Sequence, residues 1–154
     1  MKIHDIMSTR VVTVEMDNSL KVIKEVFDNT QFHHLMVLTS GKLIGIISDR
    51  DVLKSLSPKV GTAAETERDA ATLNIRAHQI MTRNPIHLRS HQGIFDAVDV
   101  FYENKISCIP IVDEARKPIG ILSWRDIIKA IKKRRDSKIK KEVEGYINYH
   151  KKHQ

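Results

Sequence analysis

Apolar and polar positions along this chain fall into two runs of the same order. Val11 to Val14 and Pro85 to Leu88 are short stretches that predict strands. Each is followed by a helix opening near Ser19 or Gly93. The spacing of Leu20, Ile23 and Phe27, and of Ile94, Ala97 and Phe101, puts the apolar residues on one helical face. Two further apolar runs come next, Leu35 to Leu38 and Leu43 to Ile47, joined by Thr39-Ser40-Gly41-Lys42. Their counterparts are Ile109 to Val112 and Ile119 to Leu122, and both pairs read as hairpins. A second helix closes each run, so each half is strand, helix, strand, strand, helix.

The two halves superpose in sequence. An offset of 74 lays Ile6-Met7 on Ile80-Met81, Val12-Thr13-Val14 on Ile86-His87-Leu88, and Leu35-Met36-Val37 on Ile109-Pro110-Ile111. After one inserted residue the offset is 75, and Gly45-Ile46-Ile47-Ser48-Asp49-Arg50-Asp51 falls on Gly120-Ile121-Leu122-Ser123-Trp124-Arg125-Asp126. A half of about 50 residues with one sheet face to hide is too small to stand alone. The expected fold is therefore α/β (α+β), two β-α-β-β-α repeats packed through their sheets.

The recurring Ser-x-x-Asp carries two readings. It is the pattern of a capping box, in which serine and aspartate satisfy backbone N–H groups at a helix start and no ligand is needed. It also places a hydroxyl and a carboxylate together, and a carboxylate with free lone pairs accepts hydrogen bonds from both hydroxyls of a ribose. One copy alone does not choose between them.

The boundaries read as residues 1–58 for the first repeat, 59–79 for a linker, 80–131 for the second repeat and 132–154 for a tail. In the linker, Thr62-Ala63-Ala64-Glu65 has the form of a capping box opening a helix through Ala70, Ala71 and Leu73. The net charge of +7 belongs almost wholly to the tail, where nine Lys or Arg stand against three acids. A short helix is predicted from Ile139 to Tyr149. This charge run reads first as a solvated extension, and otherwise as a surface for nucleic acid, an anionic membrane or an acidic protein partner.

The remaining chemistry is sparse. With 41% hydrophobic and 29% charged residues, and no apolar run near the roughly 20 residues of a membrane span, a soluble cytoplasmic protein is expected. Cys108 is the sole cysteine and sits in an apolar run, which suits a buried thiol rather than a nucleophile. The eight histidines form no metal-type spacing, and there is neither a Walker-type phosphate loop nor a catalytic Ser/His/Asp context. No enzyme activity and no cofactor are expected.

Two copies of this order, each closing on Gly, two apolar residues and Ser-x-x-Asp, resemble a pair of CBS domains. The resemblance covers residues 3 to about 131 and is supported by Asp5-Ile6-Met7, by His78-Gln79-Ile80-Met81 and by Ile109-Pro110-Ile111-Val112-Asp113. It implies a disc-like module that often dimerises, with clefts between the copies for adenosine-containing ligands such as AMP, ADP, ATP or S-adenosylmethionine. By position it also implies ribose contacts at Asp51 and Asp126, phosphate contacts at Ser48, Ser123, Arg50 and Arg125, and an adenine slot. That slot would be formed by Thr13 or His87 with His34-Leu35 or Cys108-Ile109, and Pro110 belongs to the same strand signature. The first copy departs from the family in having Met36 in place of proline and Thr39 in place of aspartate. This ranks Ser123 with Asp126 slightly ahead of Ser48 with Asp51. The resemblance implies a regulatory module that binds such a ligand and signals to a partner.

Overall fold

A computed structural model describes residues 1–152. The first repeat contains β1 (Thr13–Glu15), α1 (Leu20–Asp28), β2 (His34–Thr39), β3 (Lys42–Ser48) and α2 (Asp49–Ser55). The second contains β5 (Leu88–Arg89), α5 (Ile94–Glu103), β6 (Cys108–Val112), β7 (Pro118–Ser123) and α6 (Trp124–Lys152). Between them lie α3 (Glu67–Ala71), α4 (Ala77–Ile80) and the short strand β4 (Thr82–Arg83). One sheet has the order β1-β2-β3-β4 and the other β5-β6-β7. The first strand of each repeat pairs in parallel with the second, and the hairpin strands pair antiparallel.

Each sheet buries two faces, as the repeat requires. On one face Leu35, Val37 and Ile47 pack with Leu20, Ile23 and Val52 from the helices, and Ile109, Ile111 and Leu122 pack with Ala97 and Ile127. On the other, Met36 and Leu43 meet Val112 between the sheets. Matching bulges lie between Val37 and Leu38 and between Ile111 and Val112. An extra residue reverses the alternation of a strand. Leu43 therefore turns to the inter-sheet side while Ile47, of the same parity, faces the helices. The sheets are further joined where Leu43 N–H donates to the Arg116 carbonyl at 3.0 Å.

The leading segments of the two repeats are exchanged. Ile3, at the head of the chain, is fully buried in the second repeat's core, and Ser8 bridges to Ile121. In return Ala77 is fully buried in the first repeat's core, and β4 pairs with β3. The sequence boundary near residue 80 is thus not the boundary in space. Glycine makes the crossing feasible, since a Cβ on Gly45 would lie 2.3 Å from Met81 Sδ and one on Gly120 would lie 2.6 Å from Met7 Sδ.

Three expectations need correction. The linker helix does not open at Thr62: Thr62 donates its hydroxyl to the Lys59 carbonyl at 2.6 Å, and Glu65 accepts from Gly61 N–H at 3.2 Å, closing a turn. The cap is Thr66, paired reciprocally with Asp69. The first strands start later than predicted, at Thr13 and Leu88; Pro85 has no N–H to give a ladder. Finally, the tail is no separate short helix. Residues 132–152 continue α6 and are exposed throughout, because Lys and Arg are good helix formers and no proline interrupts them. Ile139 to Tyr149 lies inside this helix.

The glycine contacts give a test of the exchange. Gly45→Ala should lower unfolding free energy by about 1–3 kcal/mol through overpacking, and by less when introduced into Met81→Ala. Strictly additive losses in a chemical-denaturation double-mutant cycle would show that the two positions do not press on each other.

Candidate functional site

Strand β3 ends at Ser48, and α2 begins under a reciprocal cap. Asp51 N–H donates to Ser48 Oγ at 3.2 Å, and Ser48 N–H donates to Asp51 Oδ2 at 2.8 Å. Asp51 Oδ1 has no hydrogen-bond partner among the described residues. At the equivalent place Asp126 Oδ2 accepts from Ser123 N–H at 2.8 Å and also from the Ser123 hydroxyl at 2.9 Å. The hydroxyl hydrogen of Ser123 is thereby used internally. The hydroxyl of Ser48 donates to no described residue.

Beside Ser48 and Asp51 lies a cleft of about 780 Å³, in the size range of small-molecule sites. Its first wall comes from the first repeat, with His33, His34, Asp49 and Arg50 beside the cap and Leu53 and Lys54 on α2. Its second wall comes from the exchanged segment, with Thr82, Asn84, Pro85 and Ile86, from the turn before β6, with Lys105, Ile106 and Ser107, and from β6 itself, with Cys108 and Pro110. Ile86 is 42% exposed and Ile106 36% exposed, so both offer apolar surface to an occupant. Asn84 holds a positive φ of 46°, which turns the chain into buried Pro85.

The electrostatics are set by local partners. Asp49 lies at 2.9 Å from His33 Nδ1, and that hydrogen bond holds its carboxyl below the usual range. Burial lowers the His34 pKa, favouring neutral imidazole, and its Nε2 meets Ser107 Oγ of the other repeat at 3.3 Å. Burial also pushes the Cys108 thiol up to about 12, so it is a packing group rather than a nucleophile at neutral pH. Among the described residues no group of three or more His, Cys, Asp or Glu could hold a metal.

The cleft gathers His34, Ser48, Arg50, Asp51, Cys108 and Pro110 from the sequence-stated candidates. Leu35 and Ile109 are fully buried, and strand alternation points their side chains into the two repeat cores. Thr13 is exposed on β1, and His87 turns Nδ1 to the Pro85 carbonyl at 3.1 Å. Ser123, Arg125 and Asp126 lie outside this cleft, at the start of α6, where Arg125 sits 5.8 Å from the Trp124 ring. Sequence reasoning named Cys108 and Pro110 on the second wall and missed Thr82, Asn84 to Ile86 and Lys105 to Ser107. The repeat offset held a signal for part of it: residues 106–108 are the counterparts of 32–34, so the two sets face each other across the seam.

Two helix-backed sheets, duplicated in one chain and enclosing a cleft at their junction, define a paired-repeat α/β module. The chain belongs to the CBS-domain family, whose CBS domain model matches residues 3–58 and 77–133. It is 30% identical to the Methanocaldococcus jannaschii protein MJ1426, over 85% of this chain and 91% of that protein. It is 32% identical to a homoserine O-acetyltransferase of Methanosalsum zhilinae, over 84% of this chain and only 24% of that enzyme. Apart from MJ1426, the curated relatives it matches are longer proteins, of which it spans from 23% to 50%. Among solved structures, the CBS-domain pair of MJ0100 in complex with 5′-methylthioadenosine and S-adenosylmethionine has a TM-score of 0.70 at 24% identity, covering 87% of this chain and 98% of that one. CBSX2 of Arabidopsis thaliana in complex with AMP has a TM-score of 0.71 at 24% identity, with the same coverages of 87% and 98%. These structures show that the fold is that of a CBS pair. No described helix is long and apolar enough to cross a membrane.

His34 supplies a pH test. Its folded-state pKa lies below the ordinary 6.5, so the unfolded chain takes up a proton first as pH falls through that value. Stability should decline from about pH 6.5 towards 5, and His34→Gln should flatten that part of the profile, as read by urea midpoints across the range. An unchanged slope would remove His34 as its source.

Proposed function

We propose that this chain is a non-catalytic regulatory module binding an adenosine-containing ligand in the cleft between its repeats, the candidates being AMP, ADP, ATP or S-adenosylmethionine. The observation that carries the reading is the uncommitted Asp51 Oδ1 beside a seam cleft of about 780 Å³. Asp51 takes the ribose hydroxyls, Ile86 and Ile106 flank the purine with Pro85, and Ser48 and Arg50 face the phosphate side. The reading draws further support from the ligands in the neighbouring structures, adenosine derivatives in MJ0100 and AMP in CBSX2. The Ser48–Asp51 side is placed ahead of Ser123–Asp126, the reverse of the sequence ranking, because Ser123 has already used its hydroxyl. A sensor for micromolar to millimolar ligand needs roughly 4 to 8 kcal/mol of binding free energy, within reach of one ribose clamp and a buried purine.

Self-association as a homodimer belongs to the same proposal, since Phe95, Tyr102, Ile128 and Ile131 leave apolar surface exposed on α5 and α6. A second reading concerns the distal part of α6. Its exposed length carries the basic excess of the chain, which suits a nucleic acid or another anionic surface, with the pair of repeats acting as a scaffold.

Calorimetric titration with AMP, ADP, ATP, S-adenosylmethionine and GMP tests the first reading. Adenine ligands should bind and GMP should not, and Asp51→Ala should weaken binding about tenfold or more, the worth of a charge-assisted hydrogen bond. Binding equally impaired by Asp126→Ala alone would move the site to the other repeat; no binding by any ligand would remove the sensor reading. For the second, the full chain should bind duplex DNA or phosphatidylserine vesicles with affinity falling steeply in salt. Charge reversal at Lys138, Lys140 and Lys141 should abolish that binding. Unchanged binding would exonerate the helix.

A further inference from the structure

Three cations line the cleft, and none of them is in an ion pair among the described residues: Arg50, Lys54 and Lys105. They come from opposite walls. Lys54 stands on α2 three positions after Asp51 and so shares its helical face, whereas Lys105 belongs to the turn ahead of β6 in the other repeat. Two carboxylates line the cleft against these three cations: Asp49, hydrogen-bonded to His33, and Asp51, which gives one oxygen to the Ser48 N–H and keeps the other open. No Phe, Tyr or Trp lines the cleft, so a cationic ligand would find no aromatic face to rest on.

Resting on the adenosine reading, we infer that the cleft selects adenine nucleotides with a phosphate chain over S-adenosylmethionine, with Lys54 and Lys105 holding the phosphates from the two repeats. The sulfonium and ammonium of S-adenosylmethionine outweigh its single carboxylate, so a net positive ligand would meet a wall of unpaired cations. A di- or triphosphate instead supplies the negative charge those cations lack. Because they belong to different repeats, a bound phosphate chain bridges the seam. Affinity then rises from adenosine through AMP to ADP and ATP as the chain reaches the second cation, and the increment falls with ionic strength.

Isothermal titration of adenosine, AMP, ATP, S-adenosylmethionine and inorganic tripolyphosphate tests this on the full chain, alongside Lys54→Gln and Lys105→Gln. Both lysines are exposed, so neither change threatens the fold. ATP should bind at least about tenfold more tightly than S-adenosylmethionine. Each substitution should weaken ATP about fivefold, in line with a partly exposed charge pair, and leave adenosine unchanged. S-adenosylmethionine binding as tightly as ATP would overturn the inference, as would ATP affinity indifferent to both substitutions. If no adenosine compound binds, the adenosine reading fails by itself. Tripolyphosphate then decides the charge selection, which is upheld if its binding is lost in the lysine variants and overturned if it does not bind.

Discussion

The outer faces of the two sheets are covered by helices, and the inner faces have only each other. Met36, Leu43 and Val112 fill that inner layer, and removing apolar surface from water is the dominant favourable contribution to folding. The exchange of leading segments follows from the same need. With Ile3 seated in the second repeat and Ala77 in the first, neither core is complete without the other. The glycines at 45 and 120 are where this arrangement becomes most demanding, since a methionine from the partner repeat occupies the space a side chain would take.

The cleft is a consequence of that seam. The segment returning to pair with β3 has only two strand residues before Asn84 and Pro85 turn it away, which leaves Ile86 and the turn at Lys105 to Ser107 standing off from α2. The duplication makes the two sides similar but not equal. Trp124 stands where the first copy has Asp49, and Ser123 donates internally where Ser48 does not. Such differences let duplicated halves divide their roles.

Much of this architecture is legible in the sequence because it is written in periodicity. Branched apolar runs and the helical spacing of Leu20, Ile23 and Phe27 are local signals, and the duplication makes each half a check on the other. Ser-x-x-Asp is legible twice over: in the structure it is a capping box in both repeats, yet the cap consumes Asp51 Oδ2 and leaves Oδ1 unpaired. Capping and ligand recognition are alternative readings of the sequence and are compatible in space. What the sequence hides is long-range. Nothing near Ile3 says that it packs under β6, and nothing near Lys105 says that it faces α2. The tail misleads for a different reason. The abrupt rise in polarity after Ile131 marks a change of surroundings, from protein to water, and not a change of backbone conformation.

That continuity gives the proposed sensor a short path to its surface. Cys108, which lines the cleft, is the β-register partner of Ser123, and Ser123 is held by Asp126 in the first turn of α6. One strand pairing and one cap therefore separate the cleft from a helix about 43 Å long at 1.5 Å per residue. A ligand can shift a conformational equilibrium only by its differential affinity for the two states. A ligand that bridges the walls favours whichever state holds them together. Any small rotation of β6 against β3 at the seam is carried to the distal end of α6 by a rigid lever, so the largest displacement would fall on the basic, solvent-exposed turns furthest from the cleft.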